Sequence, residues 1–258
     1  MKRLDKKVAI VTGAARGMGE AISRLFAQEG AIVVVTDMDS EGENVASSIR
    51  DQGGEAVYYH LNVTDRKEIK DLVADVLDKF ERIDILVNNA GVCEKSWVVD
   101  MPEEMWDLTI DVNLKGVFNC SQGVLPAMIK QEDGRIINIA SVSSVRGDAA
   151  NGAYSASKFG VVGFAQCLAE EVGKYNILVN SVCPGPIPTK LGEHGVMGDA
   201  KLRNQDPDFF RKWYIETTPL GRQGTPEEVA KVVLFFASDD CTFVTGSTLS
   251  VSGGMVRW

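Results

Sequence analysis

Short apolar runs rich in valine and isoleucine alternate with longer amphipathic stretches along the chain. The runs predict seven β-strands, at residues 8–11, 32–36, 56–61, 85–87, 135–139, 178–182 and 248–251. Their residues are nearly all apolar rather than alternating with polar ones. This pattern is typical of strands that are buried on both faces of a parallel sheet.

Between these strands, apolar residues recur at helical spacing. The spacing predicts helices at residues 17–28, 41–51, 66–80, 102–130, 154–174 and 226–237, and it allows a break within 102–130. Several begin with a capping residue, such as Asp65, or Thr225 followed by Pro226. Strands that alternate with helices build right-handed crossovers. We therefore expect an α/β fold, doubly wound, with a seven-stranded parallel sheet and helices on both faces.

No linker rich in proline, glycine or serine divides the chain, and no segment repeats at a fixed period. One domain over residues 1–258 is therefore expected. The single irregular region runs from Pro184 to Pro219 and contains several prolines and glycines. Because a long insertion in a compact domain usually serves binding, we predict a substrate lid at about 190–218.

Composition narrows the function classes. The 258 residues are 45% hydrophobic and 24% charged, as in ordinary soluble domains, and the net charge is -9. An acidic chain is repelled by nucleic acid and by anionic membranes, so neither is an expected partner. The five cysteines form no metal-binding or disulfide pattern, and no apolar run reaches membrane-spanning length. These features predict a cytoplasmic protein without a metal.

A glycine-rich loop follows the first strand in the sequence TGAARGMG, which places Gly13, Gly17 and Gly19 before a helix. Glycines in this position allow a tight turn and a close approach of the backbone to a pyrophosphate, which the helix N-terminus attracts. Their spacing is G-x-x-x-G-x-G rather than the usual G-x-G-x-x-G. A nicotinamide dinucleotide is the ligand that this arrangement favours.

The next strand ends at Asp37, 18 residues after Gly19, where a carboxylate binds the adenosine ribose hydroxyls and repels a 2′-phosphate. The sequence therefore favours NAD over NADP. Arg16 is the counter-evidence, since its guanidinium could pair with a phosphate. Both cofactors remain open on this basis.

Tyr154 and Lys158 lie four residues apart at the start of a predicted helix, so they share one face. A nearby ammonium favours the phenolate and would bring the tyrosine closer to acid–base use near neutral pH. Many unrelated helices carry a Y-x-x-x-K spacing, so the motif depends on its context.

That context resembles the classical short-chain dehydrogenase/reductase family over essentially the whole chain. The matching segments occur in the family's order: TGAARGMG, NNAG, DVNLKG, NIAS, YSASK and CPGPIPT. The resemblance implies a Rossmann-type fold and a catalytic set of Asn113, Ser141, Tyr154 and Lys158. In that set Tyr154 is the acid–base group, Ser141 binds the substrate oxygen, Lys158 lowers the pKa of Tyr154 and holds the ribose, and Asn113 anchors a proton relay. Ser143 and Ser144 are rivals for the role of Ser141.

The cofactor residues follow from the glycine loop, Asp37 and the same resemblance. They are Gly13, Arg16, Gly17, Met18, Gly19, Asp37, Met38, Asn62, Val63, Asn89, Ala90, Gly91, Tyr154, Lys158, Pro184, Gly185, Ile187 and Thr189. Asn62 stands where many relatives have aspartate, which leaves the strength of its contact open. Residues 93–97, 142–153 and 190–218 follow strand ends and should contact the substrate.

We therefore expect an NAD-dependent oxidoreductase that interconverts a secondary alcohol and a ketone. One alternative is an NADPH-dependent 3-oxoacyl carrier-protein reductase, against which Asp37, the charged insertion and the acidic net charge count. The other is a cofactor-binding sensor or scaffold without activity. The resemblance also implies a homotetramer, with interfaces on the helices at 102–130 and 154–174 and on the last strand.

Overall fold

Seven parallel strands form one sheet in the computed structural model, which describes residues 2–256. They are β1 Val8–Thr12, β2 Ile32–Asp37, β3 Glu55–His60, β4 Ile85–Asn88, β5 Gly134–Ile139, β6 Ile177–Pro184 and β7 Thr248–Val251. Their order across the sheet is β3-β2-β1-β4-β5-β6-β7. The direction of winding reverses between β1 and β4, which is the switch point where such sheets bind ligands. The predicted fold class is confirmed.

Helices cover both faces of the sheet. They are α1 Gly17–Gln28, α2 Gly42–Asp51, α3 Arg66–Phe80, α4 Glu103–Ile110, α5 Gly116–Gln131, α6 Gly152–Val172, α7 Lys190–Arg203, α8 Pro207–Glu216 and α9 Pro226–Ala237. The break allowed in the helix at 102–130 is real, because a π-helical turn, Asp111–Lys115, separates α4 from α5. Three short 3-10 turns occupy Val98–Asp100, Val142–Ser144 and Gly173–Tyr175.

Each central strand sends alternate residues into two separate cores. In β1, Ala9 and Val11 pack with α1, α2 and α9, whereas Val8 and Ile10 pack with α3, α5 and α6. Complete burial of one such side chain contributes up to about 2 kcal/mol. The nearly unbroken apolar runs in the sequence follow from this double coverage.

The predicted lid contains two helices that the sequence pattern did not indicate. Thr189 caps α7 by accepting a hydrogen bond of 3.1 Å from the N–H of Gly192, and Asp206 caps α8. Three glycines in α7, at 192, 195 and 198, weaken its helix propensity by about 1 kcal/mol each, which explains the missed assignment. Packing supplies the difference, because Val196 and Phe210 are buried against each other.

Within residues 2–256, no helix is long and apolar enough to cross a membrane. The same residues contain no cluster of histidine, cysteine or acidic side chains that could hold a metal ion.

Candidate active site

The glycine loop lies between the end of β1 and the start of α1. Gly13 and Gly17 have positive φ angles of 63° and 60°, which side chains other than glycine rarely adopt. At Gly19, a Cβ atom would lie 2.3 Å from the carbonyl oxygen of Gly13. The helix N-terminus therefore comes as close to the loop as backbone atoms allow. The free amides at this end form a cradle that fits the pyrophosphate of a dinucleotide.

Asn89 holds this loop in place. Its side-chain amide donates to the carbonyl oxygens of Thr12 and Gly13 at 2.9 Å and 2.8 Å. The Thr12 hydroxyl in turn accepts the N–H groups of Asn89 and Ala90 at 3.0 Å and 3.1 Å. The side-chain nitrogen of Asn89 and the N–H groups of Asn89 and Ala90 are thus used within the protein itself.

Negative charge dominates the end of β2, where the adenosine ribose of a bound dinucleotide lies in this fold. Asp37 accepts the N–H of Ala15 at 3.0 Å, which ties it to the glycine loop. Arg16 pairs with Asp39 and, at 2.9 Å, with Glu41. The positive charge that could have bound a phosphate is therefore already engaged by carboxylates.

Ser141 begins the 3-10 turn after β5. Its hydroxyl accepts the N–H of Ser143 at 3.1 Å, and its own N–H donates to the hydroxyl of Ser144 at the same distance. Ser143 also accepts a hydrogen bond of 3.3 Å from Asn151. Ser143 and Ser144 therefore support the turn. The serine that forms a hydrogen bond with Tyr154 is Ser141.

Tyr154 and Lys158 lie one turn apart on α6, and the Lys158 ammonium is 5.7 Å from the centre of the Tyr154 ring. Burial raises the pKa of Tyr154 above its ordinary value, with a smaller contribution from Cys93, while the hydrogen bond with Ser141 opposes that rise. Burial also lowers the pKa of Lys158 to about 8. In this structure the effect of burial is therefore larger than the expected lowering of the Tyr154 pKa by Lys158.

Asn113 sits in the π-helical turn and is completely buried. Its side chain accepts the N–H of Val92 and donates to the Val92 carbonyl, both at 2.8 Å. It also donates to Ser157 at 3.2 Å. A π-turn of this kind often marks a functional site, and here it aligns α6 with the loop after β4. Gly91, in that loop, lies beside Lys158: a Cβ atom on Gly91 would be 3.7 Å from the Lys158 nitrogen.

A cavity of about 950 Å³ opens beside Ser141 and Tyr154. Of the predicted cofactor residues, it brings together Met18, Tyr154, Pro184, Gly185, Ile187 and Thr189. The remaining predicted residues at the strand ends lie outside it. Met38 is exposed, Val63 is buried against Gly116, and Asn62 accepts two hydrogen bonds from Thr64.

The lid forms the wall of the cavity opposite the sheet. Phe209, Phe210, Trp213 and Tyr214 of α8 all line it. The sequence leaves these four residues open between an apolar lid face and subunit contacts. The lid arginines are paired, Arg203 with Asp199 and Arg211 with Glu193. Sequence reasoning did not single out Lys95, whose ion pair with Asp199 also lies on this wall.

Comparisons with known proteins agree with this geometry. A family model described as enoyl-(acyl carrier protein) reductase matches residues 13–256. The chain is 46% identical to a 3-oxoacyl-[acyl-carrier-protein] reductase of Thermotoga maritima, over 98% of this chain and 99% of that protein. It is 40% identical to a protein of the same description from Synechocystis, over the full length of both.

Two solved structures have the same fold along nearly their whole length. One is a variant of the actinorhodin polyketide ketoreductase with NADPH, which has a TM-score of 0.95 and 34% identity and covers 100% of both chains. The other is levodione reductase, which has a TM-score of 0.93 and 31% identity and covers 98% of both chains. All four relatives are described as reductases.

Proposed function

Because the chain belongs to the classical short-chain dehydrogenase/reductase family, we propose that it reduces the ketone of a 3-oxoacyl substrate to a secondary alcohol. The observation that carries the proposal is the full-length similarity to two proteins described as 3-oxoacyl carrier-protein reductases. The relatives support this reductase, an alternative that the sequence leaves open, better than the general NAD-linked alcohol dehydrogenase that the sequence favours.

The side chains around the cavity suit the reduction of a carbonyl group. A nicotinamide cofactor supplies the hydride when it is bound. Tyr154 donates the proton to the carbonyl oxygen as it gains negative charge, and Ser141 donates a second hydrogen bond to the same oxygen. Lys158 lies one turn from Tyr154 on α6 and is the cation on the proton path. Asn113 holds the π-helical turn against α6 through its hydrogen bond to Ser157.

Two observations favour different cofactors. The actinorhodin ketoreductase was solved with NADPH, which supports NADPH for this chain as well. The carboxylates of Asp37, Asp39 and Glu41 would repel a 2′-phosphate and therefore support NADH. The negative charge at the end of β2 therefore supports a second candidate function, the NAD-linked oxidation of a small secondary alcohol at the same site.

An assay of both directions tests the two candidates. Acetoacetyl N-acetylcysteamine thioester is offered with NADPH and with NADH, and a panel of secondary alcohols is offered with NAD⁺. The proposal expects the thioester to give the highest kcat/KM, with at least a hundredfold loss of kcat in Tyr154→Phe. Faster oxidation of a simple alcohol would instead favour the second candidate. Cofactor binding without any turnover would favour the third alternative, a cofactor-binding sensor or scaffold without activity.

We also propose that the enzyme is a cytoplasmic homotetramer. The five cysteines are all unpaired among the described residues, which supports a reducing compartment. The exposed side chains of Phe243 and of Leu249, on the edge strand β7, support the oligomer.

A further inference from the structure

The lid is joined to the loop after β4 by a buried ion pair. The ammonium of Lys95 lies 3.1 Å from the carboxylate of Asp199 on α7, and the two side chains are only 7% and 8% exposed. Both line the cavity that contains Ser141 and Tyr154. Removing two charges from water is unfavourable before their attraction is counted. A pair in this position is therefore an expensive feature of a substrate cavity.

The hydrogen-bonding capacity of Lys95 is only partly used. An ammonium group has three N–H donors, and Asp199 is its one polar partner among residues 2–256. The Lys95 nitrogen is not among the fully buried polar atoms that lack a partner, so its remaining donors face the cavity. They are available there to water or to an oxygen acceptor of a bound substrate.

The charges around Lys95 favour the same kind of ligand. Asp199 also lies 3.4 Å from Arg203, so one carboxylate serves two cations. Arg203 is held in turn by the carbonyl oxygen of Ala149 at 3.3 Å and by the ring of Trp97 at 5.1 Å. Lys95, Asp199 and Arg203 together have one surplus positive charge. An oxygen that carries partial or full negative charge balances it.

The position of Lys95 fits a contact further along the substrate than the reacting carbonyl. Lys95 follows Cys93, which lines the same cavity and lies close enough to Tyr154 to affect its pKa. Two residues of chain span at most about 7 Å. The aliphatic part of Lys95 is fixed against α7, because a Cβ at Gly198 would lie 2.8 Å from its Cγ. The ammonium is thus held at the lid side of the cavity.

We propose that Lys95, oriented by Asp199, binds a second oxygen of the substrate, either the carbonyl of an acyl thioester or the carboxylate of a free oxo acid. This inference rests on the proposed function and names what selects its substrate. A ketone with no second oxygen would lack this charge-assisted hydrogen bond to Lys95 and would bind less well.

The test compares substrates that differ in the second oxygen. Acetoacetyl N-acetylcysteamine thioester, acetoacetate and 2-butanone are compared with wild type, Lys95→Met and the matched control Lys201→Met, whose lysine is exposed on α7, the helix that contains Asp199. We expect Lys95→Met to lower the kcat/KM of the thioester or of acetoacetate, relative to 2-butanone, at least tenfold, mainly through KM. Lys201→Met should keep the wild-type ratio. A loss on the thioester alone identifies the carbonyl, and a loss on acetoacetate alone identifies the carboxylate.

Two additions keep the inference falsifiable. Since Lys95→Met leaves Asp199 without its lysine, the double variant Lys95→Met/Asp199→Leu removes both charges and should show the same change in ratio. Calorimetric binding of the thioester and of acetoacetate to the protein with oxidised cofactor does not depend on turnover, and Lys95→Met should weaken the binding of at least one of them at least tenfold. Equal losses on all three ketones, or unchanged binding of both 3-oxo compounds, would overturn the role of Lys95. Lys95-dependent binding with no reduction of either 3-oxo compound would instead overturn the proposed function.

Discussion

Lys158 donates a hydrogen bond of 2.7 Å from its ammonium to the main-chain carbonyl of Ile139, the last residue of β5. A single dipole is a weak partner for a buried charge. The pKa of Lys158 accordingly falls from 10.5 to about 8, because burial disfavours its charged form. The folded protein thus holds beside Tyr154 a positive charge whose burial lowers the free energy of unfolding.

This cost makes the stability depend on pH. Below about pH 8 both the folded and the unfolded states carry the proton on Lys158, so the folded state bears the full cost of the buried charge. Between about pH 8 and pH 10.5 the folded state loses the proton first, and its stability rises by up to about 1.4 kcal/mol per pH unit. We expect the free energy of unfolding of wild type to rise relative to Lys158→Met over the lower part of this range. Urea unfolding of the cofactor-free proteins measures it, and parallel pH profiles would contradict it.

The second prediction concerns Asp37. Asp37→Ser removes one negative charge from the end of β2 and keeps a side chain that can accept the Ala15 N–H. We expect the ratio of kcat/KM for NADPH to that for NADH to rise at least tenfold, which corresponds to about 1.4 kcal/mol. Asp51→Ser, at the exposed far end of α2, is the matched control and should leave the ratio unchanged. An unchanged ratio in Asp37→Ser would mean that Asp37 does not select the cofactor.

The third prediction tests the glycine loop. The new Cβ of Gly19→Ala would lie 2.3 Å from the Gly13 oxygen and would push the start of α1 away from the loop. We expect at least a tenfold loss of affinity for the nicotinamide cofactor, measured by its fluorescence. Gly163→Ala, in α6 with no atom within 4 Å of its Cβ, should keep that affinity and gain up to about 1 kcal/mol of stability. Similar affinities in the two variants would show that the approach of α1 is not needed.

The fourth prediction concerns the oligomer. Phe243 is fully exposed beside the edge of the sheet, and Leu249 on the edge strand β7 is half-exposed. Exposed apolar side chains at a sheet edge are available to pair with a second chain. Light scattering should give about four times the 28.0 kDa mass of the chain, and Phe243→Asp should lower it. Val99→Asp, which changes an exposed residue in the turn Val98–Asp100, should not. A wild-type particle with the mass of one chain would refute the tetramer.

Much of this structure could be predicted from the sequence because its strands are buried on both faces. The observed bounds of α1, α3, α9 and β7 agree with the predicted ones to the residue. The three helices were predicted from helical spacing together with capping residues such as Asp65 and Thr225, and each packs on the sheet through an apolar face. The chemistry at Tyr154 and Lys158 could be located as well, because both lie on one face of one helix.

Features that depend on contacts distant in sequence could not be predicted. The glycines of α7 argue against a helix, and two of them are explained by close contacts: a Cβ would lie 2.6 Å from the Ile187 carbonyl oxygen at Gly192 and 2.8 Å from the Lys95 side chain at Gly198. The ion pair of Lys95 with Asp199 joins residues more than a hundred positions apart, and no local pattern indicates such a pair. The pKa of Tyr154 also depends on burial, which sequence spacing does not report.

The two hydrogen bonds between Asn113 and the main chain of Val92 hold the chain in place after β4 has ended. A side-chain amide offers the same donor and acceptor as a peptide group, so both main-chain groups of Val92 are paired as those of a strand residue would be. The main chain is thereby fixed as far as the last residue before Cys93. The segment that carries Cys93 and Lys95 into the cavity therefore starts from a fixed point, and the same amide ties that point to α6 through Ser157.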